Sequence, residues 1–419
     1  MKRIRSIIGS VKVWHLFVAC LIVRVGWAFF AGFNAIELNK DAGWILRLMT
    51  ATAQGTVDYD IGRFITSPLY PFAGGLYQIG LGQLWLIFFI LSQVFLASWS
   101  GVWLYRLGLL YFGKTTAVIA TLIFAVHPMM FWWTGTISSE SPFQSFLIGA
   151  MYFLVRYTHT RIDKELIASA SLFSLAYLTK SHILLFAPFI AIYLWLNRSS
   201  IREGLVAAMS YAGICFVFSL PFGYHCLRNH GIYVVSSNGM PFHFYTGNHQ
   251  LAYRTIVDVP SKGTDEYHSI QEFEFTPFNG PVHDSLMALP QTEKQLAYFQ
   301  ESVRWIRAHP DRFAALKVYN TAFFLMPGVS WRHYPFWQWM GTLALSLPFY
   351  IASYFFLFDC IRKRKKEWQW LTGLFLTMLL FSVVFYVQNR FRTITLEPFY
   401  ILIGTAQWRL WWHHRKGQG

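Results

Sequence analysis

The chain has 419 residues, of which 55% are hydrophobic and only 13% charged, about half the ~25% charge of an average soluble domain. That balance excludes a string of soluble domains, a disordered chain, a coiled coil and a disulfide scaffold, and predicts an all-α polytopic membrane protein. The net charge of +15 does not predict a nucleic-acid partner, because much of the basic excess falls in short segments between apolar runs, where topology in a lipid bilayer requires it.

Apolar stretches near spanning length occur at 13–31, 84–106, 115–133, 142–157, 165–180, 182–197, 204–222, 335–359, 368–388 and 393–412. The fifth and sixth are short for a full crossing, which predicts tilt or partial re-entry. Lys2, Arg3, Arg5 and Lys12 put the N-terminus inside. The first stretch has no small-residue cleavage site and is read as a retained span rather than a signal peptide. Ten crossings return His413–Lys416 to the inside and place Arg156–Lys164, Arg198–Arg202 and Arg362–Lys366 on that same side. The expected organisation is a core of about seven spans over 1–222, an extracytoplasmic loop over 223–334, and about three further spans over 335–419. Within that loop, 292–318 has amphipathic helical spacing and is expected to lie along the membrane surface. The four cysteines form no paired framework.

Few acids are available, so each can be placed. Asp163, Glu165, Glu203, Asp359 and Glu367 border inside loops among basic neighbours, and Glu397 stands in the last span, where an ionisable group is a functional candidate. The remaining acids fall outside. In NKDAGWILRLMTATAQG, Asp41 opens a short apolar helix, a good place for a capping carboxylate. VDYDIGRFITSPLYP brings Asp58, Asp60 and Arg63 close to the membrane, with Pro68 and Pro71 bending the chain into the next span. The second outer loop, WWTGTISSESPF, places Glu140 just before a span, where it favours the positive end of the following helix and Ser138 or Ser139 can cap it.

These residues lie in stretches that occur in a definite order: NKDAGWILRLMTATAQG, SPLYP, LYRLGLLYFGKTTAVIATLIFAVHPMMFWWTGTISSESPF, LAYLTKSHILLFAPF, RNHGIYVVSSNGMPFHFYTGNHQ, WIRAHPDRFAALKVYNTAFFLMP and NRFRTITLEPF. In that order the chain resembles the GT-C membrane glycosyltransferases, specifically glycosyltransferase family 39, the protein-mannosyltransferase-like group that includes the bacterial aminoarabinose transferases acting on lipid A. The resemblance implies a GT-C-type helical bundle with a site facing the periplasm or lumen. It also implies a polyprenyl-phosphate-sugar donor, a hydroxyl acceptor on a lipid, glycan or protein, and a bacterial inner-membrane location. Carried over residue by residue, it implies Asp41 as general base, Glu140 as the acid of the second outer loop, and Arg63, Lys180, Arg390 and Arg392 as candidates to hold the donor phosphate. The aminoarabinose transferases carry a basic residue just before the proline preceding the second span; this chain has Ser67 there.

The chemistry asks for the same residue types. The acceptor hydroxyl must lose its proton as it attacks the anomeric carbon, which a carboxylate in hydrogen-bond reach accelerates by ~10²–10⁴-fold. The leaving phosphate gathers charge, which Arg or Lys at the membrane edge stabilises more strongly than in water. A divalent cation is a conceivable helper, with His243 and His249 of PFHFYTGNHQ as candidate ligands beside Glu140 or Asp41, although scattered loop histidines are usually surface or capping residues. Arg390 and Arg392 flank a span and have snorkelling as the bland alternative, but they sit on the side where topology does not call for basic residues. Lys180 and His182 divide evenly between the two readings.

Two rivals stand beside this reading. An O-antigen ligase or polymerase would use His and Arg of the late outer loop, such as His225, Arg228 and His230; Asp41 and Glu140 argue against it. A transporter or lipid flippase would need ionisable groups at mid-membrane, where beyond Arg24 and Glu397 there are few.

Overall fold

The computed structural model describes residues 10–31, 42–56, 67–237, 239–259, 285, 289, 291–329 and 334–417. The described residues are helical, with no strand among them. The elements that carry the architecture are α1 (Val13–Phe30), α2 (Ala42–Ala53), α3 (Leu69–Leu81), α4 (Trp85–Val126), α5 (Pro128–Phe131), α6 (Glu140–Thr160), α7 (Asp163–Thr179), α8 (Ala187–Leu196) and α9 (Ile201–His230). They continue with α10 (Met240–Thr246), α11 (Gln250–Ile256), α12 (Gln291–Ala308), α13 (Pro310–Leu325), α14 (Phe336–Arg362), α15 (Gln369–Val384) and α16 (Asn389–Gly417). By length and apolar composition, five of the described segments can cross a membrane: Val13–Phe30, Leu69–Val126, Ile201–Asn229, Phe336–Arg362 and Lys366–Val384.

Each predicted span coincides with helix, and the turns between them have local causes. α4 contains nearly all of the second predicted span and most of the third. Its backbone breaks at Gly113, with φ 75° and ψ 171°, a conformation that glycine adopts without steric cost. The two arms fold back on each other: a Cβ on Gly108 would come within 3.0 Å of the Ala117 Cβ, whereas nine residues of straight helix would separate them by ~13 Å. The sixth predicted span starts as a 3-10 turn over Ser181–Phe186 before α8 takes over at Ala187, which accounts for its short α-helical length. The amphipathic stretch 292–318 divides into α12 and α13 at His309, because Pro310 starts a helix readily and cannot continue one. Beyond α9, Met240–Thr246 forms α10 and Gln250–Ile256 forms α11; Pro241 opens the first, and His249 caps the second.

α6 packs against both α7 and α4, and α16 runs along α4, α6 and α14. Their shared core includes Leu104, Phe143, Leu147, Phe173, Phe186 and Leu402, all buried. In lipid, helices associate through close packing rather than hydrophobic burial, so small residues at crossings matter. Gly149 of α6 is one such position: a Cβ there would lie 2.7 Å from the Trp103 ring. Gly149→Val should therefore lower the thermal midpoint of the detergent-solubilised protein, by ~1–3 kcal/mol of overpacking. An unchanged midpoint would mean that α6 and α4 do not meet as described.

Side-chain contacts tie helix ends together at the two ends of the bundle. At one end of the bundle the Tyr111 hydroxyl donates to the Glu367 carbonyl at 3.0 Å, Arg156 pairs with Glu165 at 3.1 Å, and Arg198 donates to the Tyr157 hydroxyl. At the other end, Ser138 meets Tyr70, and the Asn248 side-chain amide donates to the Val384 carbonyl at 3.0 Å.

Candidate active site

The second of these ends contains a buried acid. After the hairpin of α4, α5 and a 3-10 turn (Trp132–Gly135) lead into the short stretch before α6. The Ser138 backbone N–H donates to the Tyr70 hydroxyl at 2.8 Å, and that hydroxyl donates onward to the Gln93 side-chain oxygen at 3.0 Å. The stretch is thereby fixed against α3 and α4. Glu140, the first residue of α6, is 2% exposed and stands ahead of the apolar run 142–157. Its carboxylate accepts from the Ser138 hydroxyl and lies at the positive end of its own helix.

Two cations from distant parts of the chain meet that carboxylate. Lys180, in extended backbone just past α7, brings its Nζ to 2.9 Å from Glu140 Oε1. Arg390, in the first turn of α16, brings Nη1 to 3.6 Å from the same oxygen, while its Nε donates to the Gln388 side-chain oxygen at 2.8 Å. Next to Lys180, the Ser181 N–H donates to the Ser67 hydroxyl at 3.0 Å, so Ser67 adjoins the cluster as a neutral neighbour. Phe391 forms the wall, 5.3 Å from Lys180 Nζ and 5.6 Å from the Arg390 guanidinium. His182 packs on Phe391 at 4.9 Å between ring centres; Tyr386 packs at 5.9 Å and carries His243 on its far side at 5.7 Å.

Electrostatics follow from this packing. Burial pushes the Glu140 carboxyl up, but Lys180, Arg390 and the Ser138 hydroxyl outweigh it and hold the group at about 2, below its ordinary 4.5. The pairing therefore contributes stability that is fully present above pH 4.5 and is lost as pH falls through about 2. A carboxylate held so firmly ionised is a weak proton acceptor. Its stronger role is to hold two cations from distant parts of the chain at one point.

Of the residues singled out in the sequence, Glu140, Lys180 and Arg390 come together. Arg392 does not join them: it is 1% exposed, on the opposite side of the first turn of α16, and donates to backbone carbonyls at the end of α13. His243 lies at the edge, its Nδ1 3.4 Å from the Tyr386 hydroxyl. His249 is a helix cap, its Nδ1 accepting from the Ala252 N–H at 2.8 Å. Among the described residues, no three His, Cys, Asp or Glu side chains gather as a metal ion would require. Asp41, Asp58, Asp60 and Arg63 lie outside the described residues. Tyr70, Gln93 and Phe391 join the site without having been singled out; Tyr70 and Phe391 do lie inside the motifs SPLYP and NRFR.

No curated protein matches the chain. Residues 75–225, which carry Gln93, Glu140 and Lys180 and end before Arg390, match the model of the dolichyl-phosphate-mannose-protein mannosyltransferase family. That similarity supports a membrane glycosyltransferase of the mannosyltransferase type.

Proposed function

We propose that the chain transfers a sugar from a polyprenyl-phosphate-linked donor to an acceptor hydroxyl of a lipid, glycan or protein, at the extracytoplasmic face of a bacterial inner membrane. The observation that carries this reading is the meeting of two cations, Lys180 and Arg390, on the buried carboxylate of Glu140 at one end of the bundle. The acceptor oxygen attacks the anomeric carbon while Asp41 takes its proton. The bond from that carbon to the phosphate oxygen breaks, with its electron pair leaving on the phosphate, and the sugar inverts. Lys180 and Arg390, joined by Arg63, hold the phosphate as its charge grows. Glu140 holds the two cations at one point, and the apolar bundle around them accommodates the lipid tail at interfacial depth.

Purified protein in liposomes, given labelled polyprenyl-phosphate sugars, should release the lipid phosphate as sugar reaches an acceptor. If no member of a panel of such donors turns over, the reading fails. The same reading sets sidedness: both termini and Arg362–Lys366 cytoplasmic, and 223–334 outside. Cysteines placed at Ser237 or Lys262 should react with an impermeant reagent from the outer side, and labelling from the cytoplasmic side alone would reverse the topology.

A further inference from the structure

Two residues beyond Arg390, a second arginine is occupied quite differently. Arg392 donates from its guanidinium to the carbonyls of Phe323 at 3.0 Å, Phe324 at 2.8 Å and Gly328 at 2.9 Å, and also to that of Met326. Most of these carbonyls belong to the last turn of α13 or the residue after it, where helix geometry leaves them without intrahelical partners and the helix dipole favours a cation. The planar fork of an arginine can serve several such oxygens at once, which a lysine cannot. The guanidinium also lies 5.1 Å from the centre of the Tyr350 ring of α14. The Tyr350 hydroxyl in turn donates to Glu397 Oε1 at 2.9 Å. Glu397 is 2% exposed, so this intramembrane acid is the buried counter-charge of the same assembly.

Burying both charges is costly and is weak evidence for stability as such. What the arrangement fixes is geometry. Residues two apart on a helix project ~200° from one another, so the first turn of α16 is gripped on both sides: Arg390 against Glu140, Arg392 against α13 and α14. A slip or rotation of that turn moves both arginines together.

We propose that Arg392 is a positioning residue, which fixes Arg390 against Glu140 by anchoring the first turn of α16 to the end of α13 and to Tyr350 of α14. The proposal rests on the reading that Arg390 holds the donor phosphate. It makes the extracytoplasmic helix α13 part of the device that sets phosphate affinity, although α13 contributes no side chain to the Glu140 cluster.

The test uses the full chain in nanodiscs, with a polyprenyl monophosphate as the probe. Arg392→Lys keeps the charge and loses the fork. It should weaken probe binding by about tenfold, the equivalent of ~1.4 kcal/mol, and raise amide hydrogen exchange at 323–328 and 388–392 together. Arg390→Ala should lose binding by itself, and adding Arg392→Lys to it should cost less than about twofold more, because an anchor with nothing to position has no further effect. A purely structural arginine would lower the folded yield while leaving affinity in the folded fraction unchanged, and an arginine acting independently of Arg390 would multiply its effect with that of Arg390→Ala. Either of those results overturns the proposal. If Arg392→Lys does not fold, Arg392→Gln combined with Glu397→Gln leaves no buried charge unmatched and is judged by the same criteria. Wild-type protein that binds no polyprenyl monophosphate would instead overturn the phosphate reading. The anchor is then judged by exchange alone: unchanged protection at 388–392 in Arg392→Lys refutes it, and raised exchange there supports it.

Discussion

Asp41→Asn should reduce sugar transfer by about 10² or more while leaving donor affinity nearly unchanged. Asparagine keeps the size of the side chain and most of its ability to cap the helix that starts at Ala42, so folding should survive. Only proton acceptance is lost. The split between turnover and binding is the informative part, because a group that removes the acceptor's proton acts in the transition state and not on the bound donor. Glu140, the other acid implied by the family resemblance, does not compete well for this role, since Lys180 and Arg390 hold it ionised at about 2. Single-turnover and donor-binding measurements on the two proteins decide the matter. Transfer near the wild-type rate would return Asp41 to a capping role and move the search to Asp58 and Asp60.

The second large effect is expected at Lys180. Lys180→Met removes the closest cation from a carboxylate that has almost no access to water, leaving Glu140 to Arg390 and Ser138. Breaking a buried ion pair on one side costs ~3–5 kcal/mol, so the single variant should be strongly destabilised as well as inactive. Adding Glu140→Gln removes the unmatched charge and should recover most of the stability, but not the transfer if Lys180 holds the donor phosphate as proposed. Thermal unfolding and lipid-phosphate release, measured on the same three proteins, separate the two contributions. A single variant as stable as wild type would mean that the pair is solvated, and a double variant with full activity would remove Lys180 from phosphate binding.

The sequence by itself determines the class of protein, the positions of the helices and the residue types available at one end of the bundle. Each of these is a local quantity. A run of apolar residues needs a helix in lipid whatever it packs against, because its backbone groups have no other partners there. Basic residues between runs set the grouping of loop ends in the same additive way. Glycines and prolines at Gly113 and Pro310 end or turn helices through their own φ preferences. Glu140, Lys180 and Arg390 stand among the candidates because the family resemblance falls on the motifs that carry them, at the ends of spans.

Which candidates meet is decided by tertiary structure. Arg390 and Arg392 share one short motif, and no local property tells them apart. Rotation of α16 about its axis, fixed by its packing on α4, α6 and α14, turns Arg390 toward Glu140 and Arg392 toward the carbonyls at the end of α13. The same holds for Tyr70 and Gln93, which are ordinary span residues in the sequence and become supports of the Glu140 stretch only because α3 folds back along α4. Hydropathy and charge add up residue by residue along the chain, whereas a site is a property of distances between side chains far apart in it. Those distances are set by helix rotation and crossing, which the periodicity of any single helix leaves open.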